Sequence, residues 1–140
     1  MTRTRRATVA MLLVGLAIFS SLYSTQAILP TLVRNMGLSS TAAAMTVSAA
    51  TGALALCVVP ASILSERFGR GRILLISAVA ATGVGLIVPL AQEGWQLIVV
   101  RGLQGALLSG APATAMAWLS EELDDKALPR AMGLYIAGTS

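Results

Sequence analysis

The stretch ASILSERFGRGR, residues 61–72, decides how the chain is read, because a long apolar run breaks there into a compact cluster of charge and then resumes at once. Glu66, Arg67, Arg70 and Arg72 stand around Gly69 and Gly71, and uninterrupted apolar sequence begins again at Ile73. A link this short joins two neighbouring helices on one side of a bilayer. Working outward from it, uncharged runs at 7–33, 35–65 and 73–92 each reach the roughly 20 residues that a spanning helix requires. The 140 residues are 56% hydrophobic and 11% charged, whereas soluble domains carry about 25% charged residues; the mean hydropathy is +0.79. Such runs cannot all be core helices of a small soluble protein. The reading is an all-α, polytopic membrane helix bundle. It has helices at about residues 9–29, 42–64, 73–91 and 95–119, a charged connection at 121–130, and the start of a fifth helix from 131.

The formal charge of +4 and pI near 10.2 do not point to nucleic acid, because the basic residues sit at helix ends rather than along one face. The implied surroundings are a lipid bilayer. Arg3, Arg5, Arg6, Arg67, Arg70, Arg72, Lys126 and Arg130 fall on one side and Arg34 on the other, so the positive-inside rule puts the N-terminus in the cytoplasm. Trp95 and Trp118 are 23 residues apart, roughly 35 Å of helix, the spacing of two interfacial anchors. The first apolar run is longer than the 7–15 residues of a signal-peptide core, so it reads as a retained helix. Cys57 is the lone cysteine and reads as a small buried hydrophobe. The sequence has no histidine, which removes the commonest general base and zinc ligand. No paired nucleophile and base is found either, so neither an enzyme nor a metal or other cofactor is expected.

All six acidic residues, Glu66, Glu93, Glu121, Glu122, Asp124 and Asp125, lie in loops or at helix ends. Arg101 is the exception, a charge inside an apolar run. Insertion of Arg at a helix centre costs about 2.5–3.5 kcal/mol, so it must face the bundle interior or a wet cavity, snorkel, or bind backbone carbonyls. Gln104 lies one turn away on the same face. Gly102, Ala106 and Gly110, with Gly105 and Ser109 beside them, form a seam of small residues that admits another backbone. On the first helix, Tyr23 and Gln26 share a face that either lines a cavity or makes interhelical hydrogen bonds.

The pattern Ser62-x-x-x-Glu66-Arg67-x-Gly69-Arg70 resembles the loop between the second and third helices of the major facilitator superfamily of secondary transporters. Ser62 stands where that family has Gly, Glu66 where it has Asp, and Gly71 where a basic residue is common. Arg101-Gly102-Leu103-Gln104-Gly105 is similar to the Arg-x-x-Gln-Gly pattern of the fourth helix in the family's antiporters. LYSTQAILP at 22–30 resembles its bacterial inner-membrane efflux permeases, and RAMGLYIAG at 130–138 resembles the entry to the fifth helix.

The resemblance implies the N-terminal portion of a carrier built as two six-helix halves around a midplane site, with the C-terminal half missing. It further implies alternating-access transport of a small-molecule substrate, as proton-coupled efflux across a bacterial inner membrane. Ser62, Glu66, Arg67, Gly69 and Arg70 would form a gating loop, and Arg101, Gln104 and Gly105 a coupling site at the cavity, with Tyr23 and Gln26 as cavity candidates. With no carboxylate in the apolar runs, the proton site would lie elsewhere in a longer chain. Two alternatives belong to other classes. A compact four-helix exporter working as an oligomer would carry an acidic residue in its first helix, which is lacking; a non-transporting assembly partner would leave Arg101 and Gln104 unexplained.

Overall fold

The computed structural model describes residues 3–124 and 126–138; Asp125 and several side chains, those of Arg3, Arg5, Ser24 and Thr25 among them, lie outside the described residues. Six helices follow one another: α1 (Arg3–Met36), α2 (Ser40–Phe68), α3 (Arg70–Ile87), α4 (Gly94–Leu108), α5 (Gly110–Glu122) and α6 (Leu128–Gly138), with a 3-10 turn at Val88–Leu90 closing α3. No strand occurs among the described residues. Segments Thr8–Thr31, Ser40–Phe68 and Arg70–Leu90 are each long and apolar enough to cross a membrane.

The first helix runs on to Met36 instead of stopping near residue 29, passing through Pro30. In an apolar phase, ending a helix early would orphan several carbonyls, whereas one proline removes a single donor. The helix ends at Gly37, whose φ of +61° is left-handed. Leu38 N there donates to Val33 O at 3.1 Å, the six-to-one bond of a Schellman cap. Ser39 then caps α2, its Oγ accepting from Ala42 N at 3.1 Å. The polar group 34–40 is therefore mostly helix end and cap, with little loop.

The expected fourth helix is broken into α4 and α5. Pro112 lacks the N–H that Leu108 O would receive, and its ring crowds that carbonyl. Leu108 is the last residue of α4. The turn is tightened by Ser109, whose N and Oγ both donate to Ala106 O, at 3.3 and 2.6 Å.

α4 packs most extensively on α2, and both α4 and α5 lie against α3. α6 closes onto α1. Met11 and Ile18 of α1, Leu74 and Ala81 of α3, Ala111, Ala115 and Leu119 of α5, and Ala131 and Tyr135 of α6 form one buried cluster. The seam seen in the sequence is where backbones meet. A Cβ on Gly105 would overlap the Ala50 carbonyl oxygen of α2, and one on Gly110 would overlap Ser77 Oγ of α3. Gly102 sits 3.9 Å from Ala49 by the same measure, an ordinary contact. Close approach at small residues replaces the hydrophobic drive that lipid cannot supply.

Candidate functional site

Arg101 is the largest fully buried side chain described, 1% exposed. Its Nη2 donates to Leu22 O at 2.6 Å, and its Nη1 to Gln104 Oε1 at 2.6 Å and to Ser21 O at 3.3 Å. Gln104, equally buried, turns its Nε2 to Ser21 O at 3.3 Å and to Ala81 O of α3 at 3.5 Å. Residues three apart on α4 thus act as one polar unit that joins α4 to α1 and α3. Gly85 makes room for it, since a Cβ there would come within 2.8 Å of Gln104 Nε2. The apolar part of α1 is Thr8–Thr31, so Ser21 lies about 2 Å along the axis from its midpoint. The charge sits close to the middle of the spanning segment.

Of the three options open to a buried arginine, the structure has the guanidinium facing inward and bonded to backbone carbonyls. Gly105 is buried against the α2 backbone and does not line an open space. Tyr23 and Gln26 are exposed, and Tyr23 stacks on Phe19 with ring centroids 4.5 Å apart. Both lie outside the Arg101–Gln104 network among the described residues. An apolar groove of about 270 Å³ between Ile87, Leu90, Trp95 and Val99 opens at the far end of α3 and α4; it is lined mainly by aliphatic groups and carries no charge.

The charged link folds as a single-residue junction. Gly69, φ +94°, separates α2 from α3, a backbone angle that L side chains rarely adopt. Ser65 is buried, with its Oγ donating to Ser62 O at 2.7 Å, while Ser62 is half-buried and Glu66 and Arg67 are exposed. Arg70 Nε pairs with Glu121 Oε1 at 3.0 Å. Glu121 stands in the last turn of α5, where the helix dipole disfavours an acid, and the Arg70 cation offsets that. Beside it, Trp118 covers Gly71, whose added Cβ would meet the indole Nε1 at 3.1 Å. Trp118 is thus partly drawn into the bundle, while Trp95 at the opposite end is 62% exposed and its Nε1 donates to Glu93 Oε2.

Sequence reasoning missed Glu121 and Trp118 as partners of the link, and Ser21 and Leu22 as acceptors for Arg101. A signal for the first pair existed, since helices joined by short links on one face bring charged ends together. None existed for the second, because every residue has a carbonyl.

Apolar helices long enough to cross a membrane, close backbone contacts at glycines and a charge buried between helices define a polytopic α-helical membrane protein. The chain belongs to the Major Facilitator Superfamily, whose family model matches residues 11–140. It is 36% identical over 136 residues to the uncharacterized MFS-type transporter YybF of Bacillus subtilis, covering 97% of this chain and 34% of the relative. It is 33% identical over 135 residues to the inner membrane transport protein YnfM of Escherichia coli, covering 96% and 32%. A probable 4-methylmuconolactone transporter of Cupriavidus pinatubonensis is 36% identical over 78 residues, 56% of this chain and 18% of that protein. The chain spans about a third of the length of the first two. No solved structure matches it.

Proposed function

We propose that this chain is part of a small-solute carrier of alternating-access type, working as proton-coupled efflux in a bacterial inner membrane with its N-terminus in the cytoplasm. The observation that carries the reading is Arg101, a full charge buried among apolar helices and joined, with Gln104, to two other helices. A charge so placed costs insertion energy and marks a substrate or ion pathway more often than a purely structural role. Its bonds to α1 are to backbone atoms that already serve their own helix. They can be exchanged as helices shift, as a coupling group requires. The family membership and the transporter names of the relatives support the same reading. The intact protein, reconstituted in vesicles, should move solute only when a proton gradient is imposed; flux that ignores the gradient would remove the coupling.

In this reading Ser62, Glu66, Arg67, Gly69 and Arg70 form the gating loop, with Glu121 as a partner of Arg70. The pair's side chains are 28% and 57% exposed, so it adds at most about 0.2–1 kcal/mol of stability. Its expected role is to bias one end of the bundle open or closed. Glu66→Gln and Glu121→Gln should each change labelling rates of cysteines introduced at the cytoplasmic end by severalfold, with solute affinity and unfolding temperature nearly unchanged. Labelling rates identical to wild type would argue that the link serves topology alone.

A further inference from the structure

Among the described residues, one N–H of Arg101 has no acceptor. Nε is buried and meets no acceptor, while Nη1 and Nη2 are bonded to Gln104 and to α1 carbonyls. In a guanidinium, Nε–H and the adjacent N–H of Nη2 point the same way and make a fork that a carboxylate can bridge with two parallel bonds. The Nε arm of that fork is vacant, and the acceptors around the group are all neutral.

Nor does the described part of the chain supply a counter-charge. Among the described residues no carboxylate pairs with Arg101, and every acidic residue of the sequence lies outside the apolar runs. A buried charge without a counter-charge is costly, and a buried polar atom without a partner adds to that. The present acceptors are weak competitors. Ser21 and Leu22 belong to a continuous helix, so their carbonyls keep their intrahelical partners when the guanidinium leaves. A charge-assisted bond to a carboxylate is about twice as strong as a neutral one.

We propose that Arg101 is the docking point of a carboxylate-bearing solute, held side-on at Nε and Nη2 while Gln104 keeps Nη1 in place. This rests on the transport reading and names the class of its substrate. One fixed cation matches one negative charge, which favours monocarboxylates over dianions such as phosphate.

The test uses the intact protein in lipid nanodiscs and pairs of acids with their neutral amides, acetate against acetamide and benzoate against benzamide, at constant ionic strength. At least one acid, at about a hundred times its Kd, should raise the unfolding temperature of the wild type by about 3 °C, while its amide does not. Arg101→Lys should retain a weaker response and Arg101→Gln none. Equal shifts by acid and amide, or an undiminished acid response in Arg101→Gln, would overturn the proposal. So would a wild type indifferent to both acids, which would make a carboxylate of the protein itself the partner of Nε. Because binding is read without flux, a protein that binds acid but moves none keeps the site and loses the transport reading; one that moves solutes but ignores acids does the reverse.

Discussion

Coupled solute flux should fall about a hundredfold, roughly 2.7 kcal/mol on the transport barrier, when Arg101 is replaced by Ala in the intact protein, with the amount of protein in the membrane unchanged. The two halves of that expectation come from different terms. Removing the guanidinium relieves an insertion cost of about 2.5–3.5 kcal/mol. Against this, Gln104 Oε1 loses its donor, worth about 1 kcal/mol, and a void is left. The void is lined by the Ser21 and Leu22 carbonyls and the Gln104 amide, which are enough polar partners to hold water. Assembly is therefore nearly neutral, and the loss falls on function. Arg101→Lys keeps the charge but replaces a planar fork by a point donor, so it should be intermediate in flux. The check is flux in vesicles under an imposed proton gradient, normalised to protein by quantitative blotting. Coupled flux kept within twofold of wild type would reduce Arg101 to a tie between helices.

The membrane class was legible in the sequence, and so was the need for Arg101 to avoid lipid, because both follow from the cost of charge in hydrocarbon, which does not depend on which helices are neighbours; the sequence left open whether Arg101 turns inward or snorkels. Helix ends were less legible. Pro30 and Pro112 look alike as interruptions, yet α1 runs through Pro30 and the fourth crossing breaks before Pro112. The difference lies around them. Near Pro112, Ser109 turns its hydroxyl back onto Ala106 O and Gly110 lets α5 settle against Ser77 of α3, so a break there is filled by packing. After Pro30 the chain reaches a left-handed glycine seven residues later, and the helix continues to it.

The site was half legible for a related reason. Spacing alone puts Arg101 and Gln104 on one face, but what they bind is the backbone of α1, which no side-chain pattern announces. In the link, Arg67 and Arg70 look equivalent in the sequence. The structure separates them, Arg67 exposed at the end of α2 and Arg70, the first residue of α3, paired with Glu121. Gly71 likewise reads as a departure from a basic pattern, and its space is taken by Trp118.

Gly105→Ala should destabilise the bundle by about 3 kcal/mol, although one methyl group is the smallest change a glycine can undergo. The added Cβ would lie 2.7 Å from Ala50 C and 2.8 Å from Ala50 Cα, besides overlapping the carbonyl oxygen. These are backbone atoms of a continuous helix, so no side-chain rotation relieves the clash and α2 and α4 must separate. That separation pulls Gln104 and Arg101, the neighbouring buried residues of α4, away from α1 and α3. Overpacking in a well-packed core costs about 1–3 kcal/mol, and a rigid obstacle places this case at the upper end, a loss of roughly a hundredfold in the folding equilibrium constant. Two other helical glycines serve as controls. Gly52 of α2 and Gly83 of α3 have nothing within 4 Å of an added Cβ, so Gly52→Ala and Gly83→Ala should be neutral or stabilising by up to about 1 kcal/mol. Monodisperse yield after detergent extraction, with the unfolding temperature of what remains, separates the three variants. A Gly105→Ala protein that behaves like its controls would mean that α2 and α4 are not in backbone contact, and the buried position of Arg101 would lose its support.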